Sequence, residues 1–151
     1  MFDPQSFLDQ EIQGENSTES IPCPVGDYTG IVDKINLRQW QKKDDPAVSG
    51  ITLEVFWNLD DQGVRELLGR DKVLVKQGIM LDLTESGGID MGKGRNVDLG
   101  RLRAALDLNN PGQAFSFNAL PGRVGKVKVT HRPDQADPSK IYPEIRMVAR
   151  V

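Results

Sequence analysis

Residues 51–59, ITLEVFWNL, set the terms for the whole chain. Ile51, Leu53, Val55, Trp57 and Leu59 fall on one side of a two-residue period, and Thr52, Glu54, Phe56 and Asn58 fall on the other. That period is the signature of a strand that buries one face, and it requires partner strands on either side and a core beneath. Trp57 belongs to the buried row. Phe56 is the exception, a large ring on the polar face, which a neighbouring loop could cover.

Upstream, KINLRQWQKK at 34–43 sorts the same way with different chemistry. Ile35 and Leu37 lie on one side; Lys34, Asn36, Arg38, Trp40 and Lys42 lie on the other, with Lys43 following. A strand that offers cations and a large ring on its open face can hold single-stranded nucleic acid, the cations meeting phosphates and the ring stacking on any base. An edge strand kept soluble by lysines would look the same.

The rest of the chain alternates strand and turn signals. Pro22, Pro24 and Gly26 mark the entry to a first strand over 27–41, with Gly30 as the expected bulge or bend that lets so long a strand coil. Residues 41–50, with Pro46 and Gly50, read as a loop. After the strand at 51–59 come a turn at 60–63, a single helical turn at 64–69 and a third strand at 72–83 interrupted by Gly78. A Gly-rich stretch leads to one helix, with Asn96 as N-cap and Leu99, Leu102 and Leu106 as its apolar stripe; Asn109, Asn110, Pro111 and Gly112 stop it. Phe115 and Phe117 read as core plugs.

Two strands close the chain. Residues 122–132 put Val127, Val129 and His131 opposite Lys126, Lys128, Thr130 and Arg132. Residues 141–151 put Ile145, Met147, Ala149 and Val151 opposite Tyr142, Arg146 and Arg150, after a loop at 133–140. Three strands, a helix and two strands is the order of the OB-fold, a mainly β, five-stranded barrel with one helix between strands 3 and 4. Its strand 2–3 face, and the loops joining strands 1 to 2 and 4 to 5, bind oligonucleotides. Here those loops are expected at 41–50 and 133–140.

A length of 151 residues suits one core, and the chain divides into an acidic leader, 1–20, and an expected nucleic-acid-binding domain, 21–151. The net charge of -3 argues against a nucleic-acid partner only until it is divided. The leader holds Asp3, Asp9, Glu11, Glu15 and Glu19 and no base, so the remainder, with 17 acids and 19 bases, is about +2. Rich in Gln, Ser, Asn and Thr, the leader is expected to be flexible and largely disordered, with Phe2, Phe7 and Leu8 as its only apolar anchors. It is a solubilising tail, or an acidic-aromatic peptide that docks on partner proteins or in the domain's own basic groove. No signal peptide or membrane span is expected, which points to an intracellular protein. With one cysteine, Cys23, and one histidine, His131, no disulfide or Cys/His zinc site is expected.

Four patterns in this order, PVGDYTGIV at 24–32, ITLEVFWNLDD at 51–61, GGIDMGKGRNVDLGRLRAAL at 87–106 and PGRVGKVKVTHR at 121–132, resemble the phage-encoded single-stranded DNA-binding proteins of OB fold. The resemblance covers most of 22–151. It implies a replication and recombination accessory protein that coats unwound DNA in the cytoplasm of an infected bacterial host. One departure is that such proteins commonly carry an acidic partner-binding tail at the C-terminus. Here the acidic segment comes first, and it is the segment on which replication proteins would dock.

No enzyme and no cofactor are expected. Residues 87–94, GGIDMGKG, approach a phosphate-binding loop with Gly87, Gly92 and Lys93, but Gly94 stands where Ser or Thr would hold magnesium, and no alternating strand–helix units follow. Two readings remain. In the first, single-stranded DNA is held by Lys34, Arg38, Lys42, Lys43, Lys126, Lys128 and Arg132, with bases on Trp40 and on Phe56 or Tyr142, and additional phosphate contacts from Lys93 and Arg95. In the second, an OB-like module binds protein or builds a virion, and its lysines are merely solvated.

Overall fold

Five antiparallel strands form one sheet in the order β3-β2-β1-β4-β5 in the computed structural model, which describes residues 2–151. They are β1 (Gly26–Lys42), β2 (Asp45–Leu59), β3 (Leu74–Leu81), β4 (Val124–Pro133) and β5 (Ile141–Ala149). Three helices accompany them: α1 (Pro4–Leu8) in the leader, α2 (Gln62–Leu68) between β2 and β3, and α3 (Val97–Ala105) between β3 and β4. The sheet is not closed. β3 and β5 are its two edges; they approach each other without a hydrogen-bonded ladder, and α3 packs against both. No helix is long and apolar enough to cross a membrane among the described residues.

The apolar row at 51–59 forms the core from Leu53 onward, while Ile51 is half-buried and Thr52 and Glu54 of the polar row are buried as well. Leu53, Val55, Trp57 and Leu59 are each 0 % exposed, and Trp57 is the largest side chain of the core. Its indole N–H donates to Gln77 Oε1 at 2.9 Å, which satisfies a donor that would be costly to bury alone. Gly30 and Gly125 pair across β1 and β4 and leave the space its ring fills: a Cβ on Gly30 would lie 3.1 Å from Trp57 Cε3, and one on Gly125 3.2 Å from Cη2. Gly30 is thus a packing glycine. The bulge expected there lies at Asp33, between Val32 and Lys34, and it explains why Val32 and Ile35, three apart, both turn toward the core.

Two other expectations are corrected. Residues 41–50 are not a loop but the end of a long β1–β2 hairpin, with the turn at Lys43 and Asp44 and a second irregularity where Gln41 pairs with Ser49 and Lys42 with Asp45. In β5, the apolar stripe through Met147 and Ala149 breaks at Arg146, because Lys128 pairs with Met147 and Val129 with Ile145. Ile145 is buried and Val148 packs on the core, while Met147 is exposed. β3 runs through Gly78 with unbroken register.

The helices follow local chemistry. Asp61 caps α2, accepting from the Val64 N–H at 2.9 Å, and Gly69 ends it in the left-handed region at φ 64°. In α3, Leu99 and Leu102 are buried, as is Leu106 just beyond it. Asn96 precedes the helix as expected but makes no cap bond. Its side chain instead donates to the Asp82 and Asp90 carbonyls and accepts from the Asp82 N–H, closing the Gly-rich loop at its base. His131 Nε2 hydrogen-bonds the Cys23 carbonyl at 2.7 Å, tying the entry of the domain to β4. α1 buries none of its residues, and Phe2 and Phe7 meet with ring centroids 5.4 Å apart.

Candidate nucleic-acid interface

Strand register places the outward side chains of β1, β2 and β3 in rows. Lys34, Phe56 and Lys76 form one; Asn36, Glu54 and Gly78 the next; Arg38, Thr52 and Met80 the third; and Trp40 with Gly50 the last. The two-faced reading of 34–40 holds only in part: Ile35 packs on the core from the other side, but Leu37, expected beside it, is 55 % exposed because the β1–β2 hairpin has by then run past the core. At the open gap between the sheet edges, this surface falls into a groove of about 1310 Å³. β1 and β2 supply Arg38, Trp40, Thr52 and Glu54, and β3 supplies residues 76–80. The far wall is Arg132 and residues 142–148, with Asp98, Arg101 and Leu102 of α3 also lining it.

Charge in the groove is organised around Glu54. Its side chain is only 8 % exposed and accepts from Asn36 Nδ2 and from Lys76 Nζ, each at 3.0 Å, with Arg38 Nε at 3.5 Å. The hydrogen bonds from Asn36 and Lys76 hold the carboxyl below its ordinary range, so it is ionised and fixes both cations at the groove. On the other wall Arg132 pairs with Glu144 at 3.3 Å, and Arg101 pairs with Asp98 at 3.5 Å. Arg146 has no ion pair among the described residues. The lining thus carries five cations and three acids.

Both rings in the groove are held. Trp40 is partly buried and lies over Gly50, where a Cβ would meet its Cζ2 and Cε2. Tyr142 donates its hydroxyl to Asp134 Oδ2 at 3.0 Å, which raises the Tyr142 pKa. Asp134 is fixed by the backbone N–H groups of Ala136 and Asp137, which with Tyr142 lower its own pKa. The 133–140 segment is thereby a shaped arm.

Of the residues picked out by sequence, the structure brings Arg38, Trp40, Arg132 and Tyr142 together in the groove. Lys34 and Phe56 share the same sheet face but stand outside it, the Lys34 Nζ lying 5.0 Å from the Phe56 ring centroid. That cation–π contact accounts for the ring on the polar face of β2. Lys42 and Lys43 are exposed at the hairpin tip. Lys126 and Lys128 point outward from β4 beside Thr29 and Asp27 and do not line the groove. Lys93 and Arg95 sit on the Gly-rich loop, Arg95 paired with Asp90 at 3.7 Å.

Sequence reasoning missed Lys76, Met80, Arg101 and Arg146. Lys76 and Met80 were legible in principle, alternating with Val75, Gln77 and Ile79, but the nearly continuous apolar run hid the faces of β3. Compared against protein-family models and against curated proteins, the chain matches none.

Proposed function

We propose that this protein binds single-stranded DNA with little regard to sequence, in the groove between β3 and β5, as an accessory of phage replication and recombination. The observation that carries the reading is the pairing of two restrained aromatic rings, Trp40 and Tyr142, with Arg38, Lys76, Arg132 and Arg146 in one groove. Rings accept any base and cations accept the phosphates between bases, which is the chemistry of sequence-tolerant binding. The strand order, the helix after β3 and the approach of β3 to β5 fit an OB barrel left partly open, with the β1–β2 hairpin and the 133–140 arm flanking the groove. The replication role rests on the sequence resemblance.

One observation favours the second reading, a protein-binding or virion module. Arg38, Lys76, Arg101 and Arg132 already have carboxylate partners, so phosphates must compete with Glu54, Asp98 and Glu144. Titration with oligo-dT at low and high salt separates the two, since only DNA binding releases counterions and changes tryptophan emission together.

A further inference from the structure

Gly78 stands in the middle of β3, in one row with Asn36 and Glu54, and lines the groove. A glycine inside a strand weakens it, and it persists where the chain bulges, where φ is positive, where neighbours leave no room for a side chain, or where a ligand approaches the backbone. The first three reasons fail here. Register through Gly78 is regular, its φ is not in the left-handed region, and a Cβ would meet only Thr52 Cγ2 at 3.8 Å, an ordinary contact. Gly30 and Gly125 are the contrast, since both press on Trp57. The groove beside Gly78 supplies the fourth.

We infer that Gly78 is a seat for one nucleobase, which packs on the bare β3 backbone between Lys76 and Met80 with its edge toward Glu54. This deepens the proposed DNA-binding reading and rests on it. The side chains around the seat select the base over the phosphate. Glu54, ionised beside Gly78 in the same row, repels a phosphate but accepts from base N–H groups, while Met80, 65 % exposed, offers a soft apolar flank. Lys76, anchored to Glu54, reaches the backbone phosphate next to the seated base.

The test is Gly78→Val, with Gly78→Ala as the milder variant. Each is assayed for thermal stability and for binding to oligo-dT and to an abasic oligodeoxynucleotide of equal length. Both variants are expected to melt at or above the wild-type temperature, because Val and Ala suit a strand better than Gly and the added Cβ meets only an ordinary contact. Affinity for oligo-dT is expected to fall roughly tenfold for Gly78→Val, with little change for the abasic strand. Wild-type-like affinity of Gly78→Val for oligo-dT, with Trp40→Ala weakened, overturns the seat while leaving the groove in place. Equal reductions on both strands overturn the base assignment. A lower melting temperature for both variants shows a packing reason for the glycine and overturns the inference. Absence of wild-type binding removes the DNA-binding reading itself.

Discussion

Trp40 rests on Gly50, its cross-strand partner in the β1–β2 hairpin, and the contact exists because position 50 has no side chain. A Cβ there would lie 2.7 Å from the indole Cε2 and 3.0 Å from Nε1, so any other residue lifts the ring. The backbone of Gly50 is outside the left-handed region, leaving the ring as the reason for the glycine. Gly50→Ala is therefore expected to keep the fold, increase iodide quenching of the accessible tryptophan, and weaken oligo-dT binding. Trp40→Ala should cost about 1–3 kcal/mol of binding, the range for one base–aromatic stack. In the Trp40→Ala background, Gly50→Ala should have no further effect on affinity. An independent reduction there would mean that Gly50 acts other than through Trp40.

Glu54 links groove chemistry to stability. Its folded pKa is lowered from the ordinary 4.5, with Asn36 and Lys76 as the main causes. A depressed carboxylate contributes stability that is fully present above its unfolded pKa and lost as pH falls through the folded value. Acid melts should accordingly show wild type losing stability below about pH 4.5, and Glu54→Gln losing less over the same interval. Parallel acid profiles for the two proteins would rule out Glu54 as a contributor.

On the opposite wall, Asp134 holds Tyr142 through its hydroxyl. Tyr142→Ala should weaken oligo-dT binding by about 1 kcal/mol or more, whereas Tyr142→Phe, which keeps the ring and removes only the tether, should retain most of the affinity. If Tyr142→Phe is as damaging as Tyr142→Ala, the hydroxyl and not the ring touches the DNA.

The fold was readable where one face of an element is fully buried. Leu53, Val55, Trp57 and Leu59 stand where their spacing puts them, because a one-residue slip would move the whole row out of the core, and Leu99, Leu102 and Leu106 follow the helical period onto one buried stripe. The bulges at Asp33 and Arg146 were not readable, since one extra residue in a strand leaves no compositional mark, and each flips the faces beyond it. The long hairpin was hidden because Pro46 and Gly50 look like loop residues, yet Pro46 sits in the exposed tip and Gly50 serves Trp40. In the site, Arg38 and Trp40 followed from alternation. The separation of Lys126 and Lys128 from the groove depends on how the sheet curves, which no local pattern carries.

That separation has a measurable consequence. Replacing Arg38 or Arg132, which line the groove, should lower the salt slope of binding by about 1 for each phosphate no longer neutralised. Replacing Lys126 or Lys128 should leave the slope nearly unchanged. A slope that falls equally for all four would extend the DNA path around β4.

The most direct measurement is a fluorescence titration of the full chain with oligo-dT at low and high salt. Trp57 is 0 % exposed but bonded to Gln77, which lines the groove, so the part of the emission change that Trp40→Ala removes is the part that reports Trp40. The expected result is a change in emission that saturates well below ~100 μM at low salt, an affinity that falls steeply as salt rises, and disappearance of the signal in Trp40→Ala. Unchanged emission together with no salt-dependent binding tighter than ~100 μM would contradict DNA binding in this groove and leave the protein-binding module.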